Sequence, residues 1–227
     1  MITPINALPH LSFESVALAR IKCTFSAYGN YPNIARFFKQ EKGNGEIVSL
    51  ISMFEGNVTV WSVAPNEELK SFLLTLCPLT VFADEPCAVT LEIKGERLCA
   101  AIIKGRQGKS EHSFDTNTLY EQFKEEFSIE RLPFIADASH RLRHKAAVCV
   151  TREFGAAFMQ QGENIGYITG IVVSPNNRLE GQGSLLLKKL ITCEKEMQIF
   201  SCFKKELLPF YIKNNFKEIT PCVIGSI

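Results

Sequence analysis

The stretch from Ile168 to Ile191, ITGIVVSPNNRLEGQGSLLLKKLI, limits the fold more than any other part of the chain. It reads as a strand, a glycine-containing turn and a helix, in that order. Ile168, Ile171, Val172 and Val173 are β-branched and suit a buried strand, and Pro175 with Asn176 and Asn177 ends it with turn chemistry. After the loop Arg178-Leu179-Glu180-Gly181-Gln182-Gly183, the residues Leu186, Leu187, Leu190 and Ile191 recur at the spacing of an apolar helical face. Gly181 and Gly183 therefore sit where a helix begins. N–H groups in a first helical turn have no intrahelical partner, and the helix dipole adds partial positive charge there, so such a turn can cradle a phosphate or pyrophosphate. Glycine lets a ligand approach the main chain, although it serves ordinary turns as well.

Two common phosphate-binding motifs do not account for the turn. A dinucleotide fingerprint requires G-x-G-x-x-G after the first strand of a βαβ unit and an acidic residue on the next strand, and nothing after Gly183 supplies it. A Walker A loop ends in Gly-Lys-Ser/Thr, and Gly183-Ser184 lacks the lysine.

Arg178-x-x-Gly181-x-Gly183, following Val172-Val173-x-Pro175, resembles the acyl-CoA signature of the GNAT N-acetyltransferase superfamily. Downstream, Phe210-Tyr211-Ile212-Lys213-Asn214-Asn215-Phe216 is similar to that family's terminal FYEKLGF-like segment. The resemblance implies an α/β fold of the α+β type, a mixed sheet flanked by helices, and acetyl-CoA or another acyl-CoA as co-substrate, with no metal. It assigns the main chain of Ile171, Val172 and Val173 to the pantetheine arm and thioester carbonyl. N–H groups of Leu179, Glu180, Gly181, Gln182, Gly183 and Ser184 fall to the pyrophosphate. Arg178 becomes a phosphate contact or an organiser of the turn, and Tyr211 the general acid for the departing thiolate. The implied reaction is acyl transfer, acetyl transfer first of all, to a primary amine of a small molecule or peptide.

The chain departs from the family pattern in three places. Its signature strand offers only Tyr167 and Thr169 as polar side chains, where relatives often carry a glutamate base. Asn215 stands where Gly is preferred, and Lys204 to Glu206 replace a frequent Asn. The missing base opens a rival reading, a catalytically silent acyl-CoA-binding or regulatory protein. A third reading, an aminoacyl-tRNA-dependent transferase, is opposed by the balance of charge.

That balance is 25 basic against 24 acidic residues, net +1, so no global field favours nucleic acid or an anionic membrane. The N-terminal residues lack a basic n-region and an unbroken apolar h-region, and no apolar run of membrane-spanning length occurs. The expectation is a cytoplasmic protein, monomeric or homodimeric. The 8 cysteines form no C-x-x-C pair and lie mostly in apolar segments, as reduced core residues do. The 4 histidines are not spaced with them in any ligand pattern. His140 and His144 are four apart in a basic stretch; that stretch reads either as a solvated surface or, through His140 and Arg141, as a polar wall of the substrate pocket.

From Ala146 the pattern is a β-meander, followed by the signature strand, a helix over 184–193, a strand over 198–202 and a short helix carrying Tyr211, whose Pro209 places its start near Glu206 or Leu207. Upstream, Gly105 to His112 is a candidate linker, and Asp115 or Thr116 can cap a helix with Tyr120, Phe123 and Phe127 on its apolar face. The first part of the chain offers helices over 13–25 and 33–40, strands over 46–53 and 57–63, a helix over 66–77 and a strand over 79–82. This order resembles the same fold in degenerate form without a glycine turn, since Ser62-Val63-Ala64-Pro65-Asn66 takes that place. The chain is thus expected to hold a smaller, degenerate GNAT-like domain over 1–110 and an acyl-CoA-binding GNAT-like domain over 111–227.

Overall fold

The computed structural model describes residues 1–227 apart from Ser12 and Ser110. The first part of the chain contributes β1 (Ile2–Pro4), α1 (Val16–Tyr28), β2 (Ala35–Glu41), β3 (Ile47–Phe54), β4 (Asn57–Ser62), α2 (Glu67–Thr75), β5 (Thr80–Asp84), α3 (Glu85–Thr90) and β6 (Lys94–Lys104). A short β7 (Arg106–Gln107) leads to α4 (Thr116–Phe127) and α5 (Arg131–Arg143). Then come β8 (Ala147–Arg152), β9 (Gly155–Gln161), β10 (Ile165–Val173), α6 (Gln182–Leu190), β11 (Thr192–Cys193), β12 (Gln198–Phe203), α7 (Leu208–Lys213) and β13 (Lys217–Ser226).

Eleven of these strands form one mixed sheet in the order β1-β2-β3-β4-β5-β13-β6-β12-β10-β9-β8. Two parallel pairs interrupt its antiparallel ladders, β4 with β5 and β10 with β12. Between these pairs the final strands of the two halves are exchanged: β13 pairs with β5, β6 pairs with β12, and β6 and β13 pair with each other. Gly95 and Gly225 face each other across that junction, and a Cβ on either would come within 2.0 Å of a carbonyl oxygen of the opposite strand. Glycine is required there because the two backbones meet.

Helices α1, α4 and α5 cover one face of the sheet, where α1 packs on Phe82, Ala100, Tyr167 and Cys222, and α4 and α5 on Ala147, Phe158 and Val172. The other face carries α2 and α3 over Val60 and Val81, and α6 and α7 over Ala157, Ile168 and Ile199. The expected mixed sheet flanked by helices is what the chain forms. Helices on both faces bury both sides of the central strands, so β9 and β10 are nearly continuous apolar runs.

The expected helix over 33–40 is a strand, β2. Its residues alternate, with Ala35 and Phe37 buried and Arg36 exposed between them, and the segment pairs with β1 and β3 on its two sides. Pairing on both sides overrode a short apolar pattern that fits either period. The segment Gly105 to His112 is tied down through β7, whose Arg106 N–H donates to Ile191 O at 2.9 Å, and β11 lies parallel to it; Ser110 lies outside the described residues. Seven of the cysteines are buried or partly buried and Cys77 is exposed, and all are free thiols.

Candidate functional site

The parallel pair β10–β12 runs in register from Ile165 opposite Gln198 to Ile168 opposite Ser201, and stops there although both strands continue. A bulge in β10 between Ile168 and Gly170 falls at this point, leaving Thr169 exposed. From Gly170 to Val173 the strand stays paired with β9 on one side only. The result is a notch whose one wall is an extended backbone edge with no strand against it, the geometry that an added extended ligand can use.

The turn of interest closes the open end of that notch. Ser174 N–H donates to Phe154 O at 2.9 Å, and Pro175–Asn177 form a single 3-10 turn. Arg178 then folds back, its Nε donating to Val173 O at 3.0 Å and its Nη2 meeting Glu126 Oε2 of α4 at 2.9 Å. Leu179 has φ +68° and is fully solvent-exposed, and Gly181, at φ +82°, is the N-cap of α6. No side chain caps this helix and its first turn holds no acidic residue, so its leading N–H groups are free to donate outward. A Cβ on Gly181 would have no protein atom within 4 Å, so the space in front of the turn is open. On Gly183 it would lie 3.3 Å from the Phe210 ring. Gly181 thus faces outward and Gly183 allows close packing on α7.

That packing brings Tyr211 to the notch. Asn214 Nδ2 donates to Ser184 Oγ at 3.0 Å, linking α7 to the first turn of α6. Tyr211 stacks on Phe203 with centroids 3.8 Å apart and 7° between planes, and lies edge-on to Phe216 at 5.1 Å. Its hydroxyl accepts from Ser201 Oγ at 3.0 Å, level with the last paired residues of β10 and β12. Burial pushes the phenol up to about 12, so it keeps its proton at neutral pH.

His140 and Arg141 lie elsewhere, in the last turn of α5 against the C-terminal end of α1. His140 Nε2 is 2.9 Å from Ala27 O, and its ring stacks on Tyr28 at 4.6 Å. Arg141 is 1% exposed, bonded through Nε to Asp137 at 2.7 Å, with its guanidinium over the rings of Tyr28 and Phe54. Asp137 also accepts from the Tyr28 hydroxyl at 2.5 Å, and burial, followed by this bond, pushes the phenol up. Among the described residues neither His140 nor Arg141 bonds to the turn or to Tyr211.

A surface concavity of about 890 Å³ also lies apart from the turn, at the beginning of β12 and the end of β6. Its four charges are already matched as Lys104–Glu196 and Lys217–Glu14 pairs. The notch is an open groove rather than an enclosed cavity, so volume does not single it out; geometry does.

Sequence reasoning did not anticipate Ser201 or Glu126. Ser201 is one polar residue in an apolar strand, placed by long-range register, and Glu126 is an ordinary helix carboxylate. The one available signal was the break that Ser201 makes in QIFSCF.

No protein-family model matches the chain, and no curated protein sequence is similar to it. Solved structures are. A GCN5-related N-acetyltransferase from Kribbella flavida superposes with a TM-score of 0.59 at 7% identity, covering 95% of this chain and 96% of that one. One from Sphaerobacter thermophilus gives 0.54 at 14%, covering 92% and 90%. A tandem GNAT protein from the clavulanic acid biosynthesis pathway gives 0.53 at 9%, covering 99% and 97%. The chain has the GNAT fold over nearly its whole length.

Proposed function

We propose that the chain is a CoA-dependent N-acyltransferase that moves an acetyl group, or another short acyl group, from its CoA thioester to an amine. The observation that carries this reading is the uncapped start of α6, placed at the open end of the β10–β12 notch. No side chain caps it and the space before Gly181 is open, so the N–H groups from Leu179 to Ser184 suit a pyrophosphate, while the unpaired edge from Ile171 to Val173 suits an amide-bearing pantetheine arm. Arg178 holds the turn against Val173 and, through Glu126, against α4.

Tyr211 supports catalysis over silent binding. Transfer from thioester to amine needs an acid for the thiolate, and a buried phenol at the vertex of the notch retains the required proton. Neither β10 nor β12 carries a carboxylate or imidazole, so we assign the removal of the ammonium proton to water. The acceptor is a small-molecule or peptide amine. We divide the chain into units 1–110 and 111–227 that exchange their last strands, with the acyl-CoA site in the second, and place the protein in the cytoplasm.

Calorimetric titration of acetyl-CoA into the wild type and Gly181→Trp tests the reading. The indole would occupy the open space before the turn, so binding should disappear while circular dichroism stays unchanged. Failure of the wild type to bind acetyl-CoA would refute it.

A further inference from the structure

We infer that Phe123 and Phe127 of α4 restrict the acyl group to acetyl or propionyl by walling off the notch on the α4 side. This rests on the proposed acyl-CoA site. An arm laid along β10 from Ser174 back to Thr169 spans four to five residues at about 3.3 Å each, roughly 15 Å, the reach of an extended pantetheine chain. The thioester then falls beside Thr169 and Gly170, where the bulge and the end of β10–β12 pairing open the notch.

At that level the two faces of the sheet differ. On the α6–α7 face stands the Tyr211 hydroxyl, bonded to Ser201. The sulfur must lie on that side to take a proton from the phenol, which turns the acyl chain toward the opposite face. There Gly170 has no side chain, and the space beside its Cα is already occupied. A Cβ on Gly170 would be 2.8 Å from the Phe123 ring and 2.9 Å from the Phe127 ring. The two rings meet edge to face at 5.2 Å, and Phe123 is backed by Phe134 at 6.0 Å. Phe123 is 2% exposed and cannot retreat, whereas Phe127 is 43% exposed and forms the rim. A short acyl group ends in the notch before it reaches the rings, and a longer one that continues toward this face must displace a packed aromatic pair.

The test compares acetyl-CoA with hexanoyl-CoA by calorimetry in the wild type, Phe127→Ala and Phe127→Leu. An apolar tail ordinarily adds affinity. The wild type should instead bind hexanoyl-CoA at least about tenfold more weakly than acetyl-CoA, the scale set by overpacking a filled site. Phe127→Ala should open the rim and reduce that difference severalfold, Phe123 still standing behind it, and Phe127→Leu, which keeps an apolar group there, should reduce it less. Equal or tighter wild-type binding of hexanoyl-CoA would overturn the inference while leaving the acyl-CoA reading standing. So would discrimination that Phe127→Ala leaves undiminished. Loss of all acyl-CoA binding by the wild type would overturn both.

Discussion

Tyr211→Phe separates chemistry from architecture better than any other single change. The ring keeps its stack on Phe203 at 3.8 Å and its edge contact with Phe216 at 5.1 Å; only the hydroxyl is lost. Ser201, 1% exposed, then loses the acceptor 3.0 Å away, a buried hydrogen bond worth about 1 kcal/mol. Stability at pH 8 should therefore fall by about that much, and acetyl-CoA affinity should hold, because the phenol lies at the notch vertex and not at the phosphate turn. Turnover should fall by about 10²- to 10⁴-fold, the usual worth of a positioned acid. The assay is release of free thiol from acetyl-CoA with an amine that the wild type accepts. Alkaline pH adds a second check. Burial raises the phenol to about 12, above its ordinary value near 10. The neutral form is the one the fold favours, so its contribution to stability is complete below about pH 10 and is lost as the pH rises through about 12. The Phe variant should lack that loss in denaturation at high pH. Tyr211→Phe turnover within twofold of wild type would refute the acid role.

Three further substitutions address other parts of the structure. Arg178→Ala removes the tie to Val173 O and an ion pair whose members are both about half exposed; melting should move little, by at most about 0.5 kcal/mol, while acetyl-CoA affinity measured by calorimetry falls roughly tenfold as the turn loses its anchor. Arg141→Ala leaves Asp137 without its buried partner and should cost about 3 kcal/mol or more in equilibrium denaturation; a smaller loss would show that the Tyr28–Asp137 bond alone secures α5 to α1. Asn66→Ala removes the side chain that accepts from Leu69 N–H at 2.9 Å and should cost about 1 kcal/mol in the same assay, with acetyl-CoA binding unchanged.

Local chemistry carried much of this architecture into the sequence. The strand, turn and helix from Ile168 to Ile191 follow in the expected order, because β-branched residues, turn formers and a leucine face each act over a few residues; the helix over 184–193 begins and ends earlier, at Gln182–Leu190, and Thr192–Cys193 form β11. Pro209 correctly marks a helix start, falling in the first turn of α7 behind a 3-10 turn over Lys205–Leu207. Asp115 caps α4 through Thr118 N–H at 2.9 Å, as its position suggested. The losses were non-local. β6 and β13, the two longest strands, sit at the centre of the sheet yet carry charged or glycine-bearing ends and, in β13, Pro221 within a bulge between Ile219 and Cys222. A proline in a central strand is tolerable only at such a bulge, and no local pattern announces one. The same limit hid Ser201: a buried hydroxyl within an apolar strand gains meaning only when register sets it against Tyr211.

The two halves share a topology but not a chemistry, and under the proposed reading the difference confines acyl-CoA to one of them. In each half a parallel pair ends early, β4–β5 at Val60 opposite Ala83 and β10–β12 at Ile168 opposite Ser201, and a helix starts after the first strand of the pair. At the start of α2, however, the Asn66 side chain already occupies the Leu69 N–H, and Glu67 and Glu68 place negative charge in the first turn. That arrangement stabilises the helix and repels a phosphate by the same dipole argument that makes the bare start of α6 attractive to one. Its notch is also filled: Phe13 packs on Trp61 at 5.0 Å, and Ser15 donates to Asp84 at the end of β5 at 2.5 Å. Calorimetry should accordingly give one acetyl-CoA per chain. A second equivalent site would mean that a capped, acid-flanked helix start binds pyrophosphate, and would remove the physical ground for placing the site at Gly181.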